Sequence, residues 1–127
     1  MKKAKCYILD FALLLSLMCL PGFAQGQTEA KVKPSRLVVS FYSICCGIDQ
    51  KAKEDLDKFI TRYEKSNRKR LKKAEAHWGR EGEIDYCFKL SELSSKNQKK
   101  FISQVRTLLK NSKLVHINEN EACQNGQ

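Results

Sequence analysis

No apolar run in this 127-residue chain is long enough to favour a permanent membrane span. The one hydrophobic stretch, Ile8 to Leu20, is interrupted by Asp10 and Ser16 and falls short of the roughly 20 residues a spanning helix needs. Equally absent are an HExxH pair, a phosphate-binding loop, a Ser/His/Asp signature and a C-x-x-C motif. These absences remove the usual sequence grounds for a zinc hydrolase, a nucleotide-binding enzyme, a serine hydrolase or a thioredoxin-like oxidoreductase. Histidine occurs only twice, and no internal repeat is present. The chain is therefore expected to be neither an enzyme nor a cofactor carrier.

What the N-terminus does contain is an export pattern. Lys2, Lys3 and Lys5 form a basic start, Ile8 to Leu20 an apolar middle, and Pro21-Gly22-Phe23-Ala24 places small residues where a cut after Ala24 requires them. Residues 1–24 thus read as a signal peptide, either cleaved or kept as an anchor, and the mature chain as periplasmic or secreted. Cys19 is not a lipidation site, because Met18 occupies the position where a lipobox needs a small residue. Residues 25–35 are polar, with Gly26 and Pro34, and form a flexible arm. Residues 36–127 are the right size for one domain with one modest core.

Past the leader, the segments predict an alternation of strands and helices. Arg36 to Ile44 (RLVVSFYSI) is apolar on both alternating sets, as a strand covered on both sides would be. Asp49 is placed to cap a helix from Lys51 to about Lys65, in which Ala52, Leu56, Phe59, Ile60 and Tyr63 recur at three- and four-residue steps. Ala74, Ala76 and Trp78, then Ile84, Tyr86, Phe88 and Leu90, alternate with polar residues around a glycine-flanked loop. That pattern is a hairpin. A capping box at Ser95 to Gln98 precedes Phe101, Ile102, Val105, Leu108 and Leu109, a second amphipathic helix. Lys113 to Asn118 closes the chain as a short strand. The order β-α-β-β-α-β is that of the ferredoxin-like split βαβ fold: two helices on one face of a four-stranded antiparallel sheet ordered 4-1-3-2. A smaller β-α-β-β-α sandwich, its C-terminal segment unpaired, is the alternative. Neither scaffold names a function.

Four cysteines remain beyond the leader: Cys45, Cys46, Cys87 and Cys123. In an oxidising compartment their default state is disulfide-bonded, with three possible connectivities. Cys87 alternates against Tyr86 and Phe88, so it is expected on the helix-free face beside the central strand. The polar tail after Asn118 can cross that face, which favours a Cys87–Cys123 bridge and leaves Cys45 and Cys46 as a vicinal pair or as free thiols. The alternative reading turns on Ser43-Ile44-Cys45-Cys46-Gly47-Ile48-Asp49. Two cysteines between a strand and a helix N-terminus, where the helix dipole lowers thiol pKa, suit a soft metal. In that one loop the chain resembles the heavy-metal-associated domains, a resemblance that implies metal ligation by Cys45 and Cys46. It departs from their Met-x-Cys-x-x-Cys pattern, having adjacent cysteines and no methionine before them. Adjacent side chains in extended backbone point oppositely, so a shared ion would need a special turn at Gly47.

Two further patterns invite functional readings. His77 and His116 are expected on the helix-free face, but on opposite edge strands roughly 14 Å apart, too far to share one zinc ion. They read as solvated or hydrogen-bonded side chains. The net charge is +10, and Lys and Arg crowd the segment Ser66 to Lys73. Arg68, Lys69, Arg70, Lys72 and Lys73 make a possible anionic-surface site. Nucleic acid is an improbable partner: the aromatic side chains that ferredoxin-like RNA-binding modules present on the open face correspond here to core positions, Tyr86 and Phe88. The expected function is a small exported, non-catalytic binding or accessory module. Its partner would be an envelope or extracellular macromolecule, or a second copy docking through an open face made partly apolar by Ser40, Tyr42, Ile44 and Cys87.

Overall fold

The computed structural model describes residues 33–124; the expected signal peptide and most of the expected arm lie outside them. The elements run β1 (Ser35–Phe41), α1 (Gln50–Asn67), β2 (Lys73–Trp78), β3 (Glu83–Phe88), α2 (Ser95–Leu109) and β4 (Val115–Glu121). The strands form one antiparallel sheet ordered β2-β3-β1-β4, a small α+β domain with the split βαβ arrangement. The C-terminal segment does pair with the central strand, from Phe41 opposite Val115 to Ser35 opposite Glu121, which removes the sandwich alternative.

One face of the sheet is the core. Leu37, Val39 and Phe41 of β1 and Ile84, Tyr86 and Phe88 of β3 pack with Ala52, Leu56 and Ile60 of α1 and Phe101, Ile102, Val105 and Leu109 of α2. Both helices therefore cover the same side. The period-2 alternation of the strands delivers these residues to one face, and the 3.6-residue period of the helices meets them with one apolar stripe each.

Local chemistry sets the element ends. Asp49 caps α1: one carboxylate oxygen accepts from the Ala52 amide at 3.0 Å and the other from the Ser112 hydroxyl at 2.7 Å. These bonds, the Ala52 amide first, hold the Asp49 carboxyl below the ordinary aspartate range. At the far end Arg68 adopts a left-handed conformation with φ 50°, and its backbone N–H closes on the Glu64 carbonyl. Glu64 also accepts from the Leu71 amide. Segment 66–73 thus carries the helix cap and a turn anchored by buried Leu71, with most of its side chains exposed.

Several boundaries differ from the sequence expectation. β1 starts one residue early and ends at Phe41, leaving Ile44 in a loop at 80% exposure. Ile44 therefore contributes nothing to the sheet face. Ser94, not Ser95, caps α2 by accepting from the Asn97 amide, and Gln98 donates instead to the Leu90 and Leu93 carbonyls. The capping box is thus replaced by a plain serine cap plus a side-chain tie to the preceding loop. Leu108 lies at the margin of the α2 stripe and is 37% exposed. β4 continues past Asn118 to Glu121, its outer edge pinned where Glu119 meets Arg36 at 2.6 Å and Arg106 at 3.1 Å.

Candidate functional site

Cross-strand partners share a face, so the register alone builds the helix-free surface. Its first row is Ala74, Cys87, Val38 and Asn118; its second is Ala76, Asp85, Ser40 and His116; Trp78 and Glu83 begin a third. Because β4 and β3 flank β1, a tail leaving β4 must pass over β1 to reach β3. It does so: Cys123 bonds Cys87, with an S–S distance of 1.95 Å and a Cα–Cα separation of 5.8 Å. Val38 and Cys87, the two central members of the first row, are each 2% exposed. A disulfide of this kind is compatible with an oxidising compartment, and among the described residues no helix is long and apolar enough to cross a membrane.

Beyond the tail the face stays open. A cleft of about 330 Å³ lies there, lined by Ser40, Trp78, Asp85 and His116 from the sheet, by Tyr42 just past β1, and by Glu121, Ala122 and Gln124 at the C-terminal end. Asp85 forms its floor at 1% exposure. The half-buried Trp78 reaches diagonally across the strands, and its Nε1–H donates to Asp85 Oδ1 at 2.9 Å. Tyr42 and His116 pack ring against ring at 4.5 Å, and the Tyr42 hydroxyl donates to the Lys113 carbonyl at 2.6 Å. The Ser43 hydroxyl donates to Glu81.

Sequence reasoning missed this cleft. Asp85 and Glu83, acids beside the hairpin turn, are both buried. Asp85 sits two residues inside β3 on the tail-covered side, and Glu83 folds back to accept from the Glu81 amide. The available signal was the alternation Glu83, Asp85, Cys87: any face that carried Cys87 had to carry Asp85 too. Asp85, Ser40 and His116 stand in a row, but with serine in the middle. His116 and Asp85 are two strand spacings apart, roughly 10 Å, so the histidine lacks the carboxylate partner that a serine-hydrolase triad requires.

The residues singled out from sequence are dispersed. His116 lies on the open face, whereas His77 pairs with Ile84 and therefore projects on the helix side of an edge strand, exposed. The expectation that both histidines share the open face fails because Trp78, not His77, alternates with Ala76 toward Asp85. Cys45 and Cys46 are free and exposed. Cys46 and Gly47 take positive φ, 69° and 95°, so the chain turns directly after Cys45. The neighbouring Cys46 side chain first, then desolvation and the Glu81 carboxylate, holds the Cys45 thiol above its ordinary value. The expected lowering by the helix dipole does not reach Cys45, which lies before the Asp49 cap, because the dipole effect is confined to the first turn. Among the described residues no three His, Cys, Asp or Glu side chains come together as a metal-holding group.

The basic segment is divided as well. Lys73 belongs to β2: its ammonium stands 3.7 Å from the centre of the Tyr86 ring and 2.7 Å from Glu75. Lys69 Nζ donates to the Glu92 carbonyl and the Lys72 amide to the Glu92 carboxylate. The side chains of Arg68, Arg70 and Lys72 form no ion pair among the described residues and stay exposed. Compared with family models, curated proteins and solved structures, the chain matches none.

Proposed function

We propose that this is an exported, non-catalytic binding module whose ligand-contacting surface is the open-face cleft. The observation that carries the reading is Asp85: a carboxyl almost wholly removed from water, at the floor of a concave site, with a neutral indole as its hydrogen-bond partner. Burying such a group costs several kcal/mol unless it is paired, and a fold keeps the cost most readily where the group meets something else. The non-catalytic reading is supported by the Asp-Ser-His order, which separates the histidine from the carboxylate. The tail already covers the apolar part of the face, so the partner is another macromolecule or ligand rather than a second copy joined through an apolar sheet.

The test combines mapping with a variant. In an ¹⁵N-labelled sample retaining the Cys87–Cys123 bond, titration with an envelope fraction or a fragment set is expected to shift the amides of Ser40, Trp78, Asp85 and His116 together. A partner captured by the native protein should be lost on Asn118→Arg, which places a long charge at the cleft wall. A strict monomer by light scattering that captures nothing and shows no clustered shifts overturns the reading.

A second reading is favoured by Cys45 and Cys46, adjacent in the chain and both free and exposed. With two sulfurs and no third ligand among the described residues, the loop suits a two-coordinate soft ion, Cu(I) or Hg(II), better than four-coordinate zinc. The reduced protein is expected to bind about one equivalent of Cu(I) anaerobically and to lose it on Cys45→Ser/Cys46→Ser. Equal retention by the double variant sinks this reading.

A further inference from the structure

The charge of the cleft runs against the charge of the chain. Lys and Arg number 24 against 14 Asp and Glu, yet no Lys or Arg lines the cleft, while Asp85 and Glu121 do. Among the described residues Asp85 makes no ion pair. Its Oδ1 is occupied by the Trp78 indole, and no side-chain polar atom described is both fully enclosed and unpartnered. The second oxygen of Asp85 is therefore not fully enclosed, and Asp85 lines the cleft. Trp78 and Tyr42, both half-buried, line the same cleft. A low-dielectric carboxylate in a cleft that aromatic side chains also line is an environment that favours an organic cation, through charge pairing with the acid and attraction to the ring quadrupoles.

Resting on the reading of this cleft as the binding surface, we propose that it takes an organic monocation, an ammonium or guanidinium group, with Asp85 as the counter-charge and Trp78 and Tyr42 as its aromatic walls. A volume of about 330 Å³ is at the lower end for ligand pockets and suits a single cationic head group or one basic side chain. The tail closes one wall, so the Cys87–Cys123 bond keeps the site in shape.

Trp78 is the only tryptophan in the chain, so its fluorescence reports directly on the site. Acetyl-lysine amide is expected to give a saturable change, at least about tenfold tighter than acetyl-norleucine amide, which lacks only the ammonium. Asp85→Asn keeps an acceptor for the indole N–H and removes the charge; it is expected to erase that preference. Butylammonium binding as tightly as the lysine probe marks a free amine as the natural ligand, and markedly weaker binding marks a basic side chain carried on a peptide. Equal affinity for the lysine and norleucine probes overturns the cation assignment while leaving the cleft as a binding surface. A saturable response to no probe also overturns it, and the amide-shift mapping then judges the broader reading separately. The lysine-to-norleucine comparison needs only the native protein, so the proposal stays exposed to failure even if Asp85→Asn does not fold.

Discussion

Cys123→Ser is expected to destabilise the domain by about 4 kcal/mol, the largest effect of any single change outside the core. Cys87 and Cys123 are 36 residues apart in sequence, and closing a loop of that length removes about that much chain entropy from the unfolded state. The same substitution frees the tail from Val38 and Cys87. For a domain of this size the change lowers the thermal midpoint by roughly 15 °C or more. Denaturant unfolding of the oxidised native protein beside Cys123→Ser measures it, with Cys45→Ser/Cys46→Ser as the control. Those two thiols are free and exposed, so the control should move stability by no more than about 0.5 kcal/mol. A Cys123→Ser effect below about 1 kcal/mol would mean that the tail contributes little to the folded state.

Phe101→Ala is expected to cost about 3–5 kcal/mol. Phe101 is fully buried and stands at the centre of an aromatic group: its ring centroid lies 4.9 Å from that of Tyr63, 5.5 Å from that of Phe59 and 5.7 Å from that of Phe88. Truncation leaves a cavity bounded by both helices and β3, elements that cannot collapse onto it independently. The contrast is Leu108→Ala on the same helix, where partial exposure limits the loss to about 1 kcal/mol. Small domains hold only about 5–15 kcal/mol of stability in all, so Phe101→Ala is expected to bring this one near its threshold. Chemical denaturation of both variants decides the point: equal losses would place the core elsewhere.

The two substitutions act on parts of the molecule that differ in how they can be read. Phe101 is legible from its helix alone, because its spacing from Ile102, Val105 and Leu109 defines an apolar stripe before any partner is known. Cys87 is legible in direction, since it alternates against Tyr86 and Phe88, and the polar tail is long enough to cross one strand. Ile44 was misjudged because an apolar run does not say where backbone pairing stops. The last ladder pair of β1 is Phe41 with Val115 and Ile84, and beyond it the chain turns through Cys46 and Gly47. Leu108 was misjudged because a helix stripe has a margin, and only the packed sheet decides which marginal residue is covered.

By itself the sequence determined the order of elements, the apolar face of each helix and strand, the Asp49 cap and the basic character of the chain. All of these follow from residues within a few positions of one another, where backbone periodicity and capping chemistry act. Only the tertiary structure decided the cleft. Ser40, Trp78, Asp85 and His116 come from four different strands, and what sets them side by side is the antiparallel register, a property of pairing between segments as much as 76 residues apart, as Ser40 and His116 are. Burial was likewise decided there. Asp85 is as polar in the sequence as any surface acid, and it lies on the cleft floor because the tail, held by Cys123, passes over the face it shares with Cys87.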